Sequence, residues 1–164
     1  MHLLFIVVQL SVLYESMNIR EAIKEDIGEW SRMRTELWPD TPDQHISEIE
    51  NYFNGTAGNP VQVYVIENRD RNLIGFIELF VRNYAEGSVS LKVPYVEGWY
   101  IDSKFQNRGY GKLLIQKAEQ WAKEQGYSEL ASDADIDNHQ SIATHKKLGF
   151  KETGRNVCFL KKLL

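Results

Sequence analysis

Thiols are scarce, with Cys158 the one cysteine in 164 residues. A single cysteine excludes an internal disulfide framework and leaves no cysteine cluster for zinc, so the sequence reads as a cytoplasmic, metal-free chain. The four histidines, His2, His45, His139 and His145, fall at no metal-ligand spacing. Positive charge is short as well: 19 Lys and Arg against 23 Asp and Glu leave a formal net charge of -4. That balance argues against a nucleic-acid partner, which would call for a basic face, and favours a cationic or small-molecule one. No linker, repeat or low-complexity tract divides the chain. Its 43% hydrophobic and 12% aromatic content suffices for one core but not two.

Also missing is an apolar run that could cross a bilayer, so no membrane partner is expected. Residues 1–16 are apolar but too short and interrupted to span. No Lys or Arg precedes them and no small-x-small cleavage site follows, which sets aside a signal peptide. They read as an N-terminal extension, with an extra β-strand or packing arm as the alternative. Met17 then looks like an alternative start for a working domain over 17–164.

What is present alternates between strand and helix patterns. A short strand over Ile19–Ala22 precedes a helix with apolar residues at Ile23, Ile27, Trp30, Met33 and Leu37, stopped by Pro39. A second helix is expected from Pro42 through Ile46, Ile49 and Phe53 to the Asn54-Gly55 turn. The β-rich runs Val61–Glu67 and Leu73–Val81 flank a polar cluster and predict a hairpin. A strand over Tyr95–Asp102 leads through a glycine turn into an amphipathic helix carrying Leu113, Leu114, Ala118, Trp121 and Ala122, capped at Gly126. A strand over Leu130–Ser132, a helix over about 138–148 and a final strand pair, Phe150–Thr153 with Val157–Leu160, complete a mixed α/β layout.

Chemistry concentrates at Gln106-Asn107-Arg108-Gly109-Tyr110-Gly111. A strand, a glycine turn and a helix N-terminus aim several backbone N–H groups at one point, which suits an anion. Gly109 and Gly111 remove side chains that would hold a phosphate off the backbone, and Arg108 and Lys112 can supply charge at the rim. The order lacks the third glycine of a dinucleotide fingerprint and the Ser/Thr of a P-loop. A loose [Gln/Arg]-x-x-Gly-x-[Gly/Ala] pattern arises by chance in roughly one chain of this size in seven, so its setting and a second motif must carry the weight. That motif runs from Asn138-His139-Gln140-Ser141 to His145-Lys146-Lys147-Leu148-Gly149-Phe150.

Together the two motifs resemble those of the GNAT acetyltransferase superfamily. The resemblance implies a single-domain α/β (α+β) GNAT fold, with a mixed central β-sheet flanked by helices on both faces. It also implies acetyl-CoA as co-substrate, its pyrophosphate on residues 106–112 and its pantetheine arm near Asn138. Backbone N–H groups of Gly98, Trp99 and Tyr100 would then meet the thioester oxygen. His145 takes the slot where many members carry a Tyr that protonates the thiolate. It is a candidate acid, with a helix-surface histidine as the alternative.

A narrower similarity covers nearly all of 17–164 and points to bacterial aminoglycoside 6'-N-acetyltransferases. It rests on Leu37-Trp38-Pro39-Asp40, Glu97-Gly98, Ala131-Ser132-Asp133 and Leu148-Gly149-Phe150-Lys151-Glu152-Thr153. It implies that Trp38, Tyr84, Glu97 and Asp133 line the acceptor site, with Asp135 and Asp137 nearby. Gly154 stands where the family often has Glu. The implied substrate is a cationic aminoglycoside, whose amine attacks the thioester directly because no Ser-His or Cys-His nucleophile is legible. Glu97 is the candidate base. A polyamine or protein amine as acceptor, and a non-catalytic acyl-CoA-binding module, stay open as alternatives. Related enzymes are often homodimers, and the β-rich C-terminal end offers an edge for pairing.

Overall fold

The side chains of a strand alternate between faces, and here both faces are apolar. In β2 (Gln62–Glu67) Val63 and Val65 point to one side while Tyr64 and Ile66 point to the other, all buried. A sheet with two apolar faces needs cover on each. On one side α1 (Ile27–Leu37) and α2 (His45–Phe53) supply Trp30, Met33 and Ile49 against Val63, Val65 and Phe76. On the other, α3 (Tyr110–Glu124) lays Leu114, Ile115, Ala118 and Trp121 over Tyr64, Ile66, Ile74 and Ile77.

The computed structural model describes residues 17–163; the expected N-terminal extension, 1–16, lies outside them. The five strands, β1 (Asn18–Glu21), β2, β3 (Leu73–Arg82), β4 (Val93–Ile101) and β5 (Ala131–Ser132), stand in sequence order across the sheet. Neighbours pair antiparallel except β4 and β5, which run parallel with α3 as the crossover. The final helix, α4 (His139–Lys147), is capped by Asn138, whose side-chain oxygen accepts from the Ser141 N–H at 3.0 Å. The expected mixed sheet with helices on both faces is what the chain forms.

Boundaries differ from the sequence pattern where local polar contacts take over. The first helix begins at Ile27 rather than Ile23, because Asp26 accepts from the Ile23 N–H at 2.8 Å and holds Lys24–Asp26 as a 3₁₀ turn. Asp26 is fixed in turn by Arg20, 2.7 Å away. The second helix begins at His45 after a 3₁₀ turn at Pro42–Gln44. His45 faces inward there, its Nε2 3.2 Å from the Trp38 carbonyl oxygen, and Ile46 is exposed.

The larger correction is at the C-terminus. Residues 151–163 form no strand and are exposed throughout, including Val157, Phe159 and Leu160. Alternating apolar residues make a strand only when a neighbouring edge completes the ladder, and no strand among the described residues pairs with this segment.

Two glycines separate close approach from backbone conformation. A Cβ on Gly75 would sit 2.5 Å from both the Tyr100 carbonyl oxygen and Ile101 Cδ1. One on Gly126 would meet nothing within 4 Å, but its φ of +84° ends α3 in the left-handed region. Gly126→Ala should cost about 1 kcal/mol. Gly75→Ala, which forces strand backbones apart, should cost about 2–3 kcal/mol. Urea-unfolding midpoints test the order, and equal midpoints would refute it.

Candidate active site

The sheet splits at β4. Glu78 pairs with Gly98 and Leu79 with Val96, so Glu97 is an extra residue bulged out of the ladder. On the opposite edge, pairing with β5 stops at Val96↔Ser132. From Glu97 to Ile101, no strand among the described residues pairs with that edge of β4, and the N–H groups of Trp99 and Ile101, which point away from β3, face the gap. A bulge on one edge of β4 and the end of β5 pairing on the other thus leave a gap between β4 and the sheet edge.

The glycine loop stands where β4 ends. Gln106 Nε2 donates to the Ile101 carbonyl oxygen at 2.9 Å, bracing the loop against the strand. Asn107 (φ 60°) and Gly109 (φ 87°) are both left-handed, and Gly109 is the N-cap of α3. The first helical bond is Leu113 N–H to the Gly109 carbonyl oxygen at 3.2 Å. The N–H groups of Tyr110, Gly111 and Lys112 therefore precede the helical ladder. With the helix dipole they form an anion-binding terminus. Arg108, its guanidinium 5.6 Å from the Phe105 ring centre, and Lys112 are exposed at the rim. Tyr110 is buried in the core, and a Cβ on Gly111 would lie 3.0 Å from Trp99 Cζ2. Trp99 thus fills the space beneath the first turn of α3.

The acidic and aromatic residues gather at the bulge. Arg82 Nε donates to Glu97 Oε1 at 2.6 Å, and its Nη2 lies 2.5 Å from the same oxygen. The Arg82 guanidinium also sits 3.5 Å from the Tyr95 ring centre, and the Tyr95 hydroxyl donates to Asp133 Oδ2 at 3.0 Å. Burial pushes the Tyr95 pKa up and the Asp133 carboxylate adds to it, so the phenol stays a donor. Glu97 and Asp133 are thereby linked through Arg82 and Tyr95, neither of which the sequence pattern singled out. A lone Arg closing an apolar strand was the available signal.

Trp38 approaches from the α1 side; a Cβ on Gly98 would lie 2.7 Å from its Cη2. The remaining residues sit less centrally. The Tyr100 side chain turns to the α1 face, where its hydroxyl meets the Glu36 and Asp102 carboxylates. Tyr84 follows β3 at 65% exposure. Asp135 and Asp137 serve the turn into α4 through their carbonyl oxygens, 2.9 Å from Asn138 N and 3.0 Å from His139 N. Gly154 lies against Glu86, where a Cβ would be 3.7 Å from that side chain.

His145 is held at both ring nitrogens. Nδ1 is 2.8 Å from the Ser141 carbonyl oxygen, which can only accept, so Nδ1 carries the proton and Nε2 faces the Ser132 hydroxyl at 2.9 Å. The ring packs edge-on against Trp99 and Phe150. Among the described residues no group of three or more His, Cys, Asp and Glu is placed to hold a metal ion, and no helix is long and apolar enough to cross a membrane.

Residues 27–150 match the acetyltransferase (GNAT) family. The chain belongs to that family. It is 38% identical over 146 residues to the aminoglycoside N(6')-acetyltransferase type 1 of Klebsiella aerogenes, covering 88% of this chain and 96% of that one. The Serratia marcescens enzyme of the same name is 35% identical over 141 residues, 85% and 94% of the two chains. Among solved structures, AAC(6')-Iy in complex with the bisubstrate analogue CoA-S-monomethyl-acetylneamine superposes with a TM-score of 0.81 at 31% identity, covering 90% and 99%. AAC(6')-Ih from Acinetobacter baumannii superposes with a TM-score of 0.80 at 32% identity, covering 90% and 99%.

As a GNAT acetyltransferase the chain places the split of its sheet between the glycine loop and the Glu97 cluster. Gly98 is the point where that split meets a side chain from α1. Gly98→Ala should displace Trp38 and cost about 1–3 kcal/mol. Near-ultraviolet circular dichroism and thermal unfolding check this; a wild-type spectrum and melting curve would contradict the close approach.

Proposed function

We propose that this acetyltransferase transfers the acetyl group of acetyl-CoA to the 6'-amino group of aminoglycosides, so conferring resistance. The choice of acceptor is carried by near-full-length identity with several enzymes of that one specificity. The site supports it chemically. The pyrophosphate would take the free N–H groups of Tyr110, Gly111 and Lys112, with Arg108 at the rim and Asn138 beside the pantetheine arm. Glu97 and Asp133 present carboxylates to a polycation, and Trp38 and Tyr84 offer aromatic faces to its rings.

In this reading the amine nitrogen attacks the thioester carbonyl carbon; the new C–N bond forms as the C–S bond breaks, with no covalent enzyme intermediate. An alkyl amine with a pKa of about 10.4 must first lose a proton, at about 4.6 kcal/mol at pH 7. Glu97 takes that proton directly or through water. Both close Arg82 contacts fall on Oε1, which leaves Oε2 to meet the amine. Of the backbone N–H groups of Gly98, Trp99 and Tyr100, that of Trp99 lies on the unpaired edge of β4 and would face the developing oxyanion, while those of Gly98 and Tyr100 lie on the β3 side. His145 can serve as acid for the departing thiolate only as an imidazolium: its Nε2–H then donates to the Ser132 oxygen while the Ser132 hydroxyl gives its own proton to the thiolate, leaving His145 as the neutral Nδ1–H tautomer.

The same proposal includes a cytoplasmic homodimer. Its support is the exposed C-terminal segment, where Phe159 and Leu160 are each 92% exposed, together with the two-residue β5 edge. A second copy would cover both.

Thiol release from acetyl-CoA with neomycin against paromomycin, which carries a hydroxyl instead of an amine at the 6' position, tests the acceptor. Neomycin should react and paromomycin should not. Equal rates on both sink the 6' assignment, and a rate with polyamines alone moves the enzyme to that class. Glu97→Gln should lower kcat about hundredfold with the KM for acetyl-CoA unchanged; wild-type kcat would remove Glu97 as base.

A further inference from the structure

One buried ionisable side chain has no part in that chemistry. Glu78 is 1% exposed, yet it sits directly across the ladder from Gly98, next to the bulge at Glu97. Its Oε1 accepts from Trp30 Nε1 at 2.8 Å and lies 3.3 Å from Arg34 Nε. Arg34 is buried too. Its Nη2 reaches Glu48 Oε2 at 2.6 Å, and its guanidinium lies 5.1 Å from the centre of the Trp38 ring. Trp38 in turn closes on Gly98, the ladder partner of Glu78. Glu78, Arg34, Trp38 and Gly98 thus form a closed circuit of contacts.

Core packing alone does not call for a carboxylate here, since apolar side chains of similar volume often serve a core as well as a buried ion pair. The desolvation is evident: burial pushes the Glu78 pKa up to about 7, and the Arg34 charge offsets only part of it. The other charged groups that raise it are Glu48 on α2 and Glu97 on β4. What an apolar pair cannot do is fix the plane of a guanidinium, and Arg34 lies stacked beside an indole. The indole it steadies is the one that abuts the bulge strand.

We propose that Glu78 is a positioning residue for the acceptor: through Arg34 it holds the Trp38 ring against Gly98 and so sets the wall of the acceptor site beside Glu97. This rests on the reading that Trp38 and Glu97 face the substrate. It makes the reach of the acceptor site depend on a carboxylate that never touches the substrate.

Glu78→Gln keeps an acceptor for Trp30 Nε1 but removes the charge that orients Arg34. The KM for neomycin should rise about tenfold while the KM for acetyl-CoA stays within twofold of wild type. In a Trp38→Phe background the same substitution should change the neomycin KM less than twofold, because the two residues act as one unit. A wild-type neomycin KM, or a tenfold rise undiminished without Trp38, overturns the proposal. A second measurement needs no acceptor. Acrylamide quenching of the Trp38 fluorescence, taken as the difference between chains with and without Trp38, should at least double in Glu78→Gln, and unchanged quenching overturns the proposal. A wild-type enzyme inactive on every aminoglycoside would sink the functional reading, and quenching would still decide the role of Glu78. Where Glu78→Gln does not fold, Arg34→Lys keeps the charge but loses the guanidinium plane; it is expected to give the same selective KM and quenching changes, and their absence overturns the proposal.

Discussion

The parting of β4 from its neighbours governs how the rest of the molecule is arranged. A regular ladder would satisfy the peptide groups of Glu97–Tyr100 within the sheet. The end of β5 pairing at Ser132 leaves those of them that point away from β3, such as the Trp99 N–H, facing a gap instead. A gap between β4 and the edge strand β5 is tolerable only where the cores on either face are stiff. One wall is α3, anchored by Leu114, Ile115 and Ala118 in the larger core, with Trp99 wedged under Gly111. The other is the α1 face, anchored by the fully buried Trp30, Met33 and Phe76. Rigid cores on both faces hold open a wedge that neither would create alone.

Chemical asymmetry follows from the same split. The loop end of the wedge offers backbone N–H groups and two exposed cations, Arg108 and Lys112, while the bulge end offers Glu97 and Asp133. The two ends of the gap thus carry opposite charge. Arg82 moderates the acidic end. It neutralises Glu97 at 2.5 Å and stacks on Tyr95, which bonds Asp133, so the two carboxylates are held apart in one geometry.

Much of this was legible from the residues. Alternation placed β2 and β3, helical period placed α1 and α3, and Gly109 marked the turn into α3. The bulge was not legible, because a register mismatch belongs to two strands together and leaves no trace in either one. The Glu78 circuit was hidden for a similar reason: a Glu in an apolar strand looks like an outward residue until Trp30 and Arg34 arrive from α1. The C-terminal pattern misled in the opposite direction. Val157 and Phe159 alternate as strand residues do, but a strand is a pairing and no strand among the described residues pairs with them.

His145 shows how a fold constrains a substitution. A Tyr at that slot would bring one hydroxyl; an imidazole brings two nitrogens, and both need partners when packed between Trp99 and Phe150. The Ser141 carbonyl oxygen fixes the tautomer, which leaves Nε2 to accept from the Ser132 hydroxyl. Ser132 is also the last residue of β5 to pair with β4. The residue at which β5 leaves β4 is therefore also the one that holds the imidazole at Nε2, so the end of a strand and the orientation of a ring are set together.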